Sequence, residues 1–278
     1  QQLTHEPGWH TCQISPDGKY FIDTWSELNT PRVISIAQTD GKKPREMFRA
    51  KDNRPDYNYC PIELGSIKSA DGKFDNHYRL IKPIDFDPNK KYPVILYVYG
   101  GPHSQMVTNS FNALLRTWEM YMAQHGYVVF VMDNRGTQHH GADYEKAIHK
   151  YCGQAEMADQ MAGMKWLMSH DWVDQDRIGV HGWSYGGFMT ISLMVNYPEV
   201  FKVGVAGGPV IDWKWYEVMY GERYMETDKT NADGLEKTSL IPRAKDLKGK
   251  LLICQGAIDN TVVWEHSLSF VEACIKAG

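Results

Sequence analysis

The chain has 278 residues, 42% hydrophobic and 23% charged, a balance that suits a globular protein with a sizeable core. A formal net charge of -4 leaves no basic footprint for nucleic acid or an anionic membrane surface, and no apolar run is long enough to span a bilayer. The five scattered cysteines, Cys12, Cys60, Cys152, Cys254 and Cys274, contain no CxxC pair, so no zinc site is expected, and their spacing assigns no disulfide.

The chain opens at Gln1 with neither Met nor a signal-like segment, and further sequence upstream is expected. The first fifty residues read as β-structure. Ser15-Pro16-Asp17-Gly18 marks a turn, residues 20–25 a strand, Asn29-Thr30-Pro31 a second turn, residues 32–38 another strand, and Asp40-Gly41 a third turn. Three or four such strands are too few for an independent domain and match the length of one β-propeller blade, so residues 1–52 are assigned to a terminal blade whose companions lie upstream.

From residue 53 the pattern becomes α/β. Asp71-Gly72 marks a hairpin turn. Continuous apolar runs at 94–99, 127–132, 177–181, 203–206 and 251–254 read as strands buried on both faces, Cys254 among them as a small apolar side chain. Helices are expected over 110–124, 187–196 and 264–276. Met157, Met161, Met164 and Met168 share one face of a further helix, best explained as packing against a sheet. Strands alternating with helices at these intervals predict a mostly parallel, doubly wound sheet covered on both faces.

Gly182-Trp183-Ser184-Tyr185-Gly186-Gly187 fits G-x-S-x-G between a strand and a helix. Glycines two residues to either side permit a turn sharp enough to lift the serine hydroxyl above the sheet, which makes Ser184 a candidate nucleophile of an α/β-hydrolase. In that fold the orienting acid follows a late strand, which points to Asp259. The histidine does not fit the required order. His266 lies only seven residues after Asp259 within an expected helix and is assigned to surface or packing. His181 lies in the strand below the serine and His139-His140 in an early loop. The catalytic histidine is therefore expected beyond Gly278, and residues 53–278 are expected to form an α/β-hydrolase domain truncated before it, inactive as it stands. Tyr99-Gly100-Gly101-Pro102 falls where this fold places one oxyanion donor, the Tyr185 N–H supplying the other. Asp133-Asn134-Arg135-Gly136 reads as a structural turn, with Arg135 in an ion pair.

Trp183-Ser184-Tyr185-Gly186-Gly187, the Val98-Tyr99-Gly100-Gly101-Pro102 loop, and the segment carrying Trp213, Tyr216, Tyr220 and Glu222-Arg223-Tyr224-Met225 together resemble the dipeptidyl peptidase IV branch of the prolyl oligopeptidase family. The resemblance implies an α/β-hydrolase preceded by propeller strands. It implies Ser184 and Asp259 as triad members and Tyr99 and Tyr185 as oxyanion-hole residues. Tyr185, Val210, Trp213, Tyr216, Tyr220 and Val262 would form a dry, flat-walled pocket for a prolyl ring. It further implies peptide substrates with proline near the N-terminus, no cofactor, a homodimer, and a periplasmic or extracellular location. Where the branch carries a substrate-binding asparagine this chain has Thr261. With the loops around Gly207-Gly208-Pro209 and Gly256-Ala257-Ile258-Asp259, that substitution leaves dipeptide and tripeptide release both open. An esterase, a binding protein without catalysis, and a nucleotide-binding Rossmann domain are weaker readings. Ser184 and Asp259 are retained, the aromatic pocket disfavours a simple ester, and no G-x-G-x-x-G follows a strand.

Overall fold

The computed structural model describes residues 2–278. Four strands, β1 (Trp9–Ile14), β2 (Tyr20–Glu27), β3 (Thr30–Gln38) and β4 (Arg45–Arg49), pair in sequence order as an antiparallel meander. The turns fall where Gly and Asp direct them: the Gly18 N–H donates to the Ser15 carbonyl at 2.9 Å and the Gly41 N–H to the Gln38 carbonyl at 2.8 Å. Its size and order are those of a single propeller blade.

A second sheet of seven strands follows: β5 (Ile62–Lys68), β6 (Asp75–Ile81), β7 (Tyr92–Tyr97), β8 (Val128–Met132), β9 (Val173–Trp183), β10 (Val203–Gly207) and β11 (Lys250–Cys254). Its spatial order is β11-β10-β9-β7-β8-β6-β5. The strands from β11 to β8 are parallel, while the β5–β6 hairpin joins antiparallel at the β8 edge. The helices are α1 (Thr117–Gln124), α2 (Ala142–Glu145), α3 (Gln154–Met168), α4 (Tyr185–Asn196), α5 (Val218–Met225), α6 (Asp228–Thr238) and α7 (Trp264–Ala277).

Because strand side chains alternate, β8 serves two cores. Val128, Phe130 and Met132 belong to the core shared with residues of α3 and α4, whereas Val129 and Val131 pack with Met120 and Ala123 of α1. The sheet is thus covered on both faces, in the arrangement of an α/β-hydrolase. Met157 and Met164 are buried against the sheet, with Met161 and Met168 beside them, so the methionine face is core.

Three local expectations are corrected. The helix over 110–124 begins only at Thr117, because Asn112, Ala113 and Leu114 adopt positive φ values of 61°, 50° and 59°. The buried Arg79 guanidinium accounts for the break: besides the Met106 carbonyl at 2.6 Å it takes the Ala113 carbonyl at 2.5 Å, which a continuous helix would use itself. The Arg116 N–H then donates to Glu119 at 2.8 Å, satisfying one of the free donors where α1 starts. Residues 218–238, given no helix from sequence, form α5 and α6. α5 is only eight residues long with Gly221 inside it, and α6 is broken at Asn231 (φ -150°), so neither offers a long uninterrupted pattern; Thr227 caps α6 in a box with Thr230. Cys254 is half-buried, since β11 is the outermost strand of its sheet.

Candidate active site

Ser184 is the single residue between β9 and α4. Its backbone sits at φ 60° and ψ -116°, unfavourable for any residue with a Cβ. Two hydrogen bonds hold it there: its N–H donates to the Gly207 carbonyl at 2.8 Å, and its carbonyl accepts from the Phe188 N–H at 3.1 Å. Its hydroxyl makes no capping bond to the helix behind it. The glycines are required by space. A Cβ on Gly182 or Gly186 would strike the Val98 carbonyl, one on Gly187 the Gly207 carbonyl, and one on Gly207 the Trp183 ring. Trp183 is 56% exposed over that glycine, so the serine is flanked by one open indole and one buried phenol.

The loop after β7 approaches from the neighbouring strand. The Val98 N–H donates to the His181 carbonyl at 2.9 Å, and Gly100 turns the chain at φ 75°. The Asn134 side chain donates to the Gly100 carbonyl at 2.9 Å, and the Ser104 hydroxyl to the Gly101 carbonyl at 2.5 Å. The sequence marks Asn134 only as part of a turn. No motif marks its hold on this loop, which depends on β8 ending beside β7. Arg135 enters the expected ion pair, meeting Asp159 at 2.8 Å and Asp71 at 2.8 Å.

Tyr99 is brought to Ser184. Burial pushes its phenol up, and the nearby Ser184 hydroxyl pulls it part of the way back, although no hydrogen bond of good geometry joins them. From Tyr99 an aromatic wall continues in ring contacts: Tyr99 to Tyr185 at 6.1 Å, Tyr185 to Trp213 at 5.4 Å, Trp213 to Tyr216 at 5.5 Å, and Tyr216 to Tyr220 at 5.3 Å. Tyr220 reaches this wall because α5 carries it parallel to the Trp213 ring, 6.1 Å away. Val210 and Val262 are buried in the same apolar cluster. Trp213 is also buried, while Tyr216 and Tyr220 keep part of their surface open. Burial raises the phenols of Tyr216 and Tyr220, and the nearness of Tyr99 adds to both. A cavity of about 500 Å³ also touches Trp213 and Tyr216, but it is otherwise lined by polar groups such as Lys214, Glu222 and Asp228 and includes neither Ser184 nor Asp259.

Asp259 stands in the loop after β11. Its Oδ1 accepts from the N–H groups of Thr261 and Val262, both at 3.0 Å, which fixes the carboxylate and leaves Oδ2 without a hydrogen-bond partner among the described residues. A Cβ on Gly208 would lie 3.8 Å from that Oδ2 and 3.6 Å from the Trp183 indole nitrogen, so the carboxylate faces the strand end beside the elbow.

Among the described residues no histidine hydrogen-bonds to Ser184 or Asp259. His266 is fully buried, with Nδ1 accepting from the N–H groups of Ile211 at 3.0 Å and Asp212 at 3.4 Å, and burial pushes its imidazole down to about 4. It is a neutral packing residue of the core. His181 bonds the Val205 carbonyl at 2.8 Å and stacks on Tyr97, which belongs to the core on the α1 side of the sheet. No cluster of ligands fit for a metal occurs among the described residues.

The family model for the prolyl oligopeptidase family matches residues 114–278. The chain belongs to that family. Dipeptidyl peptidase 8 of Homo sapiens is 34% identical over 289 aligned residues, covering all of this chain and 32% of that protein. Dipeptidyl peptidase 4 of Trichophyton equinum is 33% identical over 280, covering 98% of this chain and 36% of the relative. The chain spans about a third of the length of the curated relatives it matches. Among solved structures, a candidate dipeptidyl aminopeptidase IV from Bacteroides ovatus superimposes with a TM-score of 0.95 at 49% identity, covering 98% of this chain and 39% of its own. Dipeptidyl peptidase 4 of Porphyromonas gingivalis gives a TM-score of 0.91 at 36% identity, covering 100% and 39%. As a member of the prolyl oligopeptidase family, the chain has the expected fold, an α/β-hydrolase preceded by propeller strands.

Proposed function

We propose that this chain carries the nucleophile, acid and specificity pocket of a serine exopeptidase that releases short N-terminal peptides after proline. The observation that carries the reading is the continuous path from the strained Ser184, across Tyr99, to the apolar wall of Tyr185, Trp213, Tyr216 and Tyr220. A prolyl ring is flat, apolar and without a donor, and such a wall suits it better than a charged or long side chain. The dipeptidyl peptidase names of the relatives support the same class.

In this reading the Ser184 oxygen attacks the prolyl carbonyl carbon. A histidine, which none of the described residues supplies, takes the serine proton, and Asp259 orients it. The tetrahedral oxygen gathers charge between the Tyr99 hydroxyl and the Tyr185 N–H, the first of α4 and free of a helical partner. The C–N bond then breaks, the histidine returns its proton to the leaving amine, and water resolves the acyl-enzyme. Residues 1–52 form the terminal propeller blade and 53–278 the peptidase domain. The 278-residue chain alone is inactive, because the base is absent from it.

The test is an assay of the full-length protein on Gly-Pro and Ala-Ala-Pro nitroanilides, with Ser184→Ala as control. Gly-Pro cleavage assigns dipeptide release, cleavage of the longer substrate alone assigns tripeptide release, and either is expected to vanish with Ser184→Ala. Cleavage of neither, with turnover of simple nitrophenyl esters, would replace the reading with an esterase. Turnover of proline substrates by the isolated chain would overturn the placement of the base.

A further inference from the structure

Beneath the aromatic wall lies a carboxyl group that this chemistry does not use. Glu156, in the first turn of α3, has no exposed surface. Its Oε1 accepts a 2.5 Å hydrogen bond from the Tyr185 hydroxyl, and its Oε2 has no partner among the described residues. Arg135 does not neutralise it, because that guanidinium is committed to Asp159 and Asp71. Burial pushes the carboxyl up to about 7 and the Tyr185 phenol well above its ordinary range.

An unpaired acid in a dry core is costly, and stability alone would be better served by an apolar side chain. Its one hydrogen-bonded side-chain partner is Tyr185, the residue next to Ser184. The Tyr185 ring is confined by its neighbours: a Cβ on Gly101 would stand 2.6 Å from its Cγ, and Phe188 and Trp213 pack at 5.5 and 5.4 Å between ring centres. Packing confines the ring faces. Along the ring's long axis, the bond to Glu156 is the directional restraint.

We propose that Glu156 is a positioning residue of the active site, acting through the Tyr185 hydroxyl to set the depth of that ring, and with it the pocket wall and the N–H beside Ser184. The inference rests on the reading of Ser184 as the nucleophile. Displacing a reacting-site group by about an ångström is enough to cost on the order of a hundredfold in rate, so one anchoring bond at this place has leverage.

The experiment compares full-length wild type, Glu156→Ala, Glu156→Gln, Tyr185→Phe and the Glu156→Ala/Tyr185→Phe double variant. Two rates are read per folded molecule: labelling of Ser184 by a fluorophosphonate, which needs no proline, and kcat and KM on the prolyl nitroanilide. Glu156→Ala should slow labelling and kcat by roughly tenfold or more, and Glu156→Gln, which keeps the acceptor, should restore both to within about threefold. In the Tyr185→Phe background, Glu156→Ala should add less than about twofold, because the route through the hydroxyl is already gone. Should Glu156→Ala not fold, Glu156→Leu replaces it, being closer in volume and equally without an acceptor. Wild-type rates in Glu156→Ala, equal impairment in Glu156→Gln, or losses that multiply in the double variant would each overturn the proposal. A wild type that labels at Ser184 but cleaves no prolyl substrate would sink the peptidase reading while the labelling rates still decide the role of Glu156. A wild type that does not label would sink both.

Discussion

Arg79 and Glu119 meet with neither side chain exposed, through hydrogen bonds of 2.7, 3.0 and 3.2 Å that join strand β6 to helix α1. The guanidinium also holds the Met106 and Ala113 carbonyls, so one buried cation organises the long excursion between β7 and α1. Removing the carboxylate would leave that cation unpaired in the core. Glu119→Ala is expected to destabilise the fold by about 3–5 kcal/mol, read as a lowered denaturant midpoint. A loss below about 1 kcal/mol would show that the loop, and not the pair, holds the helix start.

The Tyr99 phenol lies near Ser184, and in the proposed reading it meets the charge that develops during reaction. Tyr99→Phe is expected to lower kcat on a prolyl nitroanilide by about a hundredfold with KM little changed. A change confined to KM would move Tyr99 from the oxyanion site to the pocket wall.

Gly101 packs flat on the Tyr185 ring. Gly101→Ala places a methyl 2.6–2.9 Å from three ring atoms, so either the loop or the ring must shift. The expected result is a fall in kcat/KM of roughly tenfold or more with a folded protein by circular dichroism. Unchanged kinetics would show that the loop moves freely and is not gauged by that ring.

Acid stability should carry the signature of His266. Its imidazole is held neutral down to about 4 in the folded chain, against 6.5 in an unfolded one. Between those values the unfolded state binds the extra proton, so this contribution is complete above pH 6.5 and is lost as pH falls toward 4, by at most about 3 kcal/mol. Glu156 and Asp133, both pushed up to about 7, work in the opposite sense: their contribution is greatest at low pH and is lost as pH rises toward 7. The comparison must therefore be made between wild type and His266→Asn, whose Oδ1 can accept the Ile211 N–H in the same place. Their stability difference should shrink or reverse from pH 7.5 to pH 5, and a difference independent of pH would place the histidine's proton elsewhere.

Much of this architecture is legible in the sequence, and the reasons differ from place to place. The runs at Val94 and Val128 read as strands because burial on both faces leaves no polar alternation, and the Ser184 elbow is legible because glycine alone fits its neighbours' carbonyls. The kink at Asn112 to Leu114 is invisible, since its cause, Arg79, lies more than thirty residues away. The same holds for Asn134 and Glu156: each acts on the site through a partner that only the folded sheet brings near, and neither belongs to a motif. Tyr185 is only half legible. Its position beside the serine is plain from sequence, but not that its hydroxyl points away from solvent to a buried acid.

The backbone of Ser184, held at a left-handed φ, has a consequence for durability. Ser184→Gly would remove the hydroxyl and with it the steric penalty, about 1 kcal/mol or more, partly offset by the greater freedom of glycine in the unfolded chain. The Ser184→Gly protein should therefore melt no lower than the parent. In that case the fold gains nothing from a side chain at this position, and a search for robustness alone would favour glycine there.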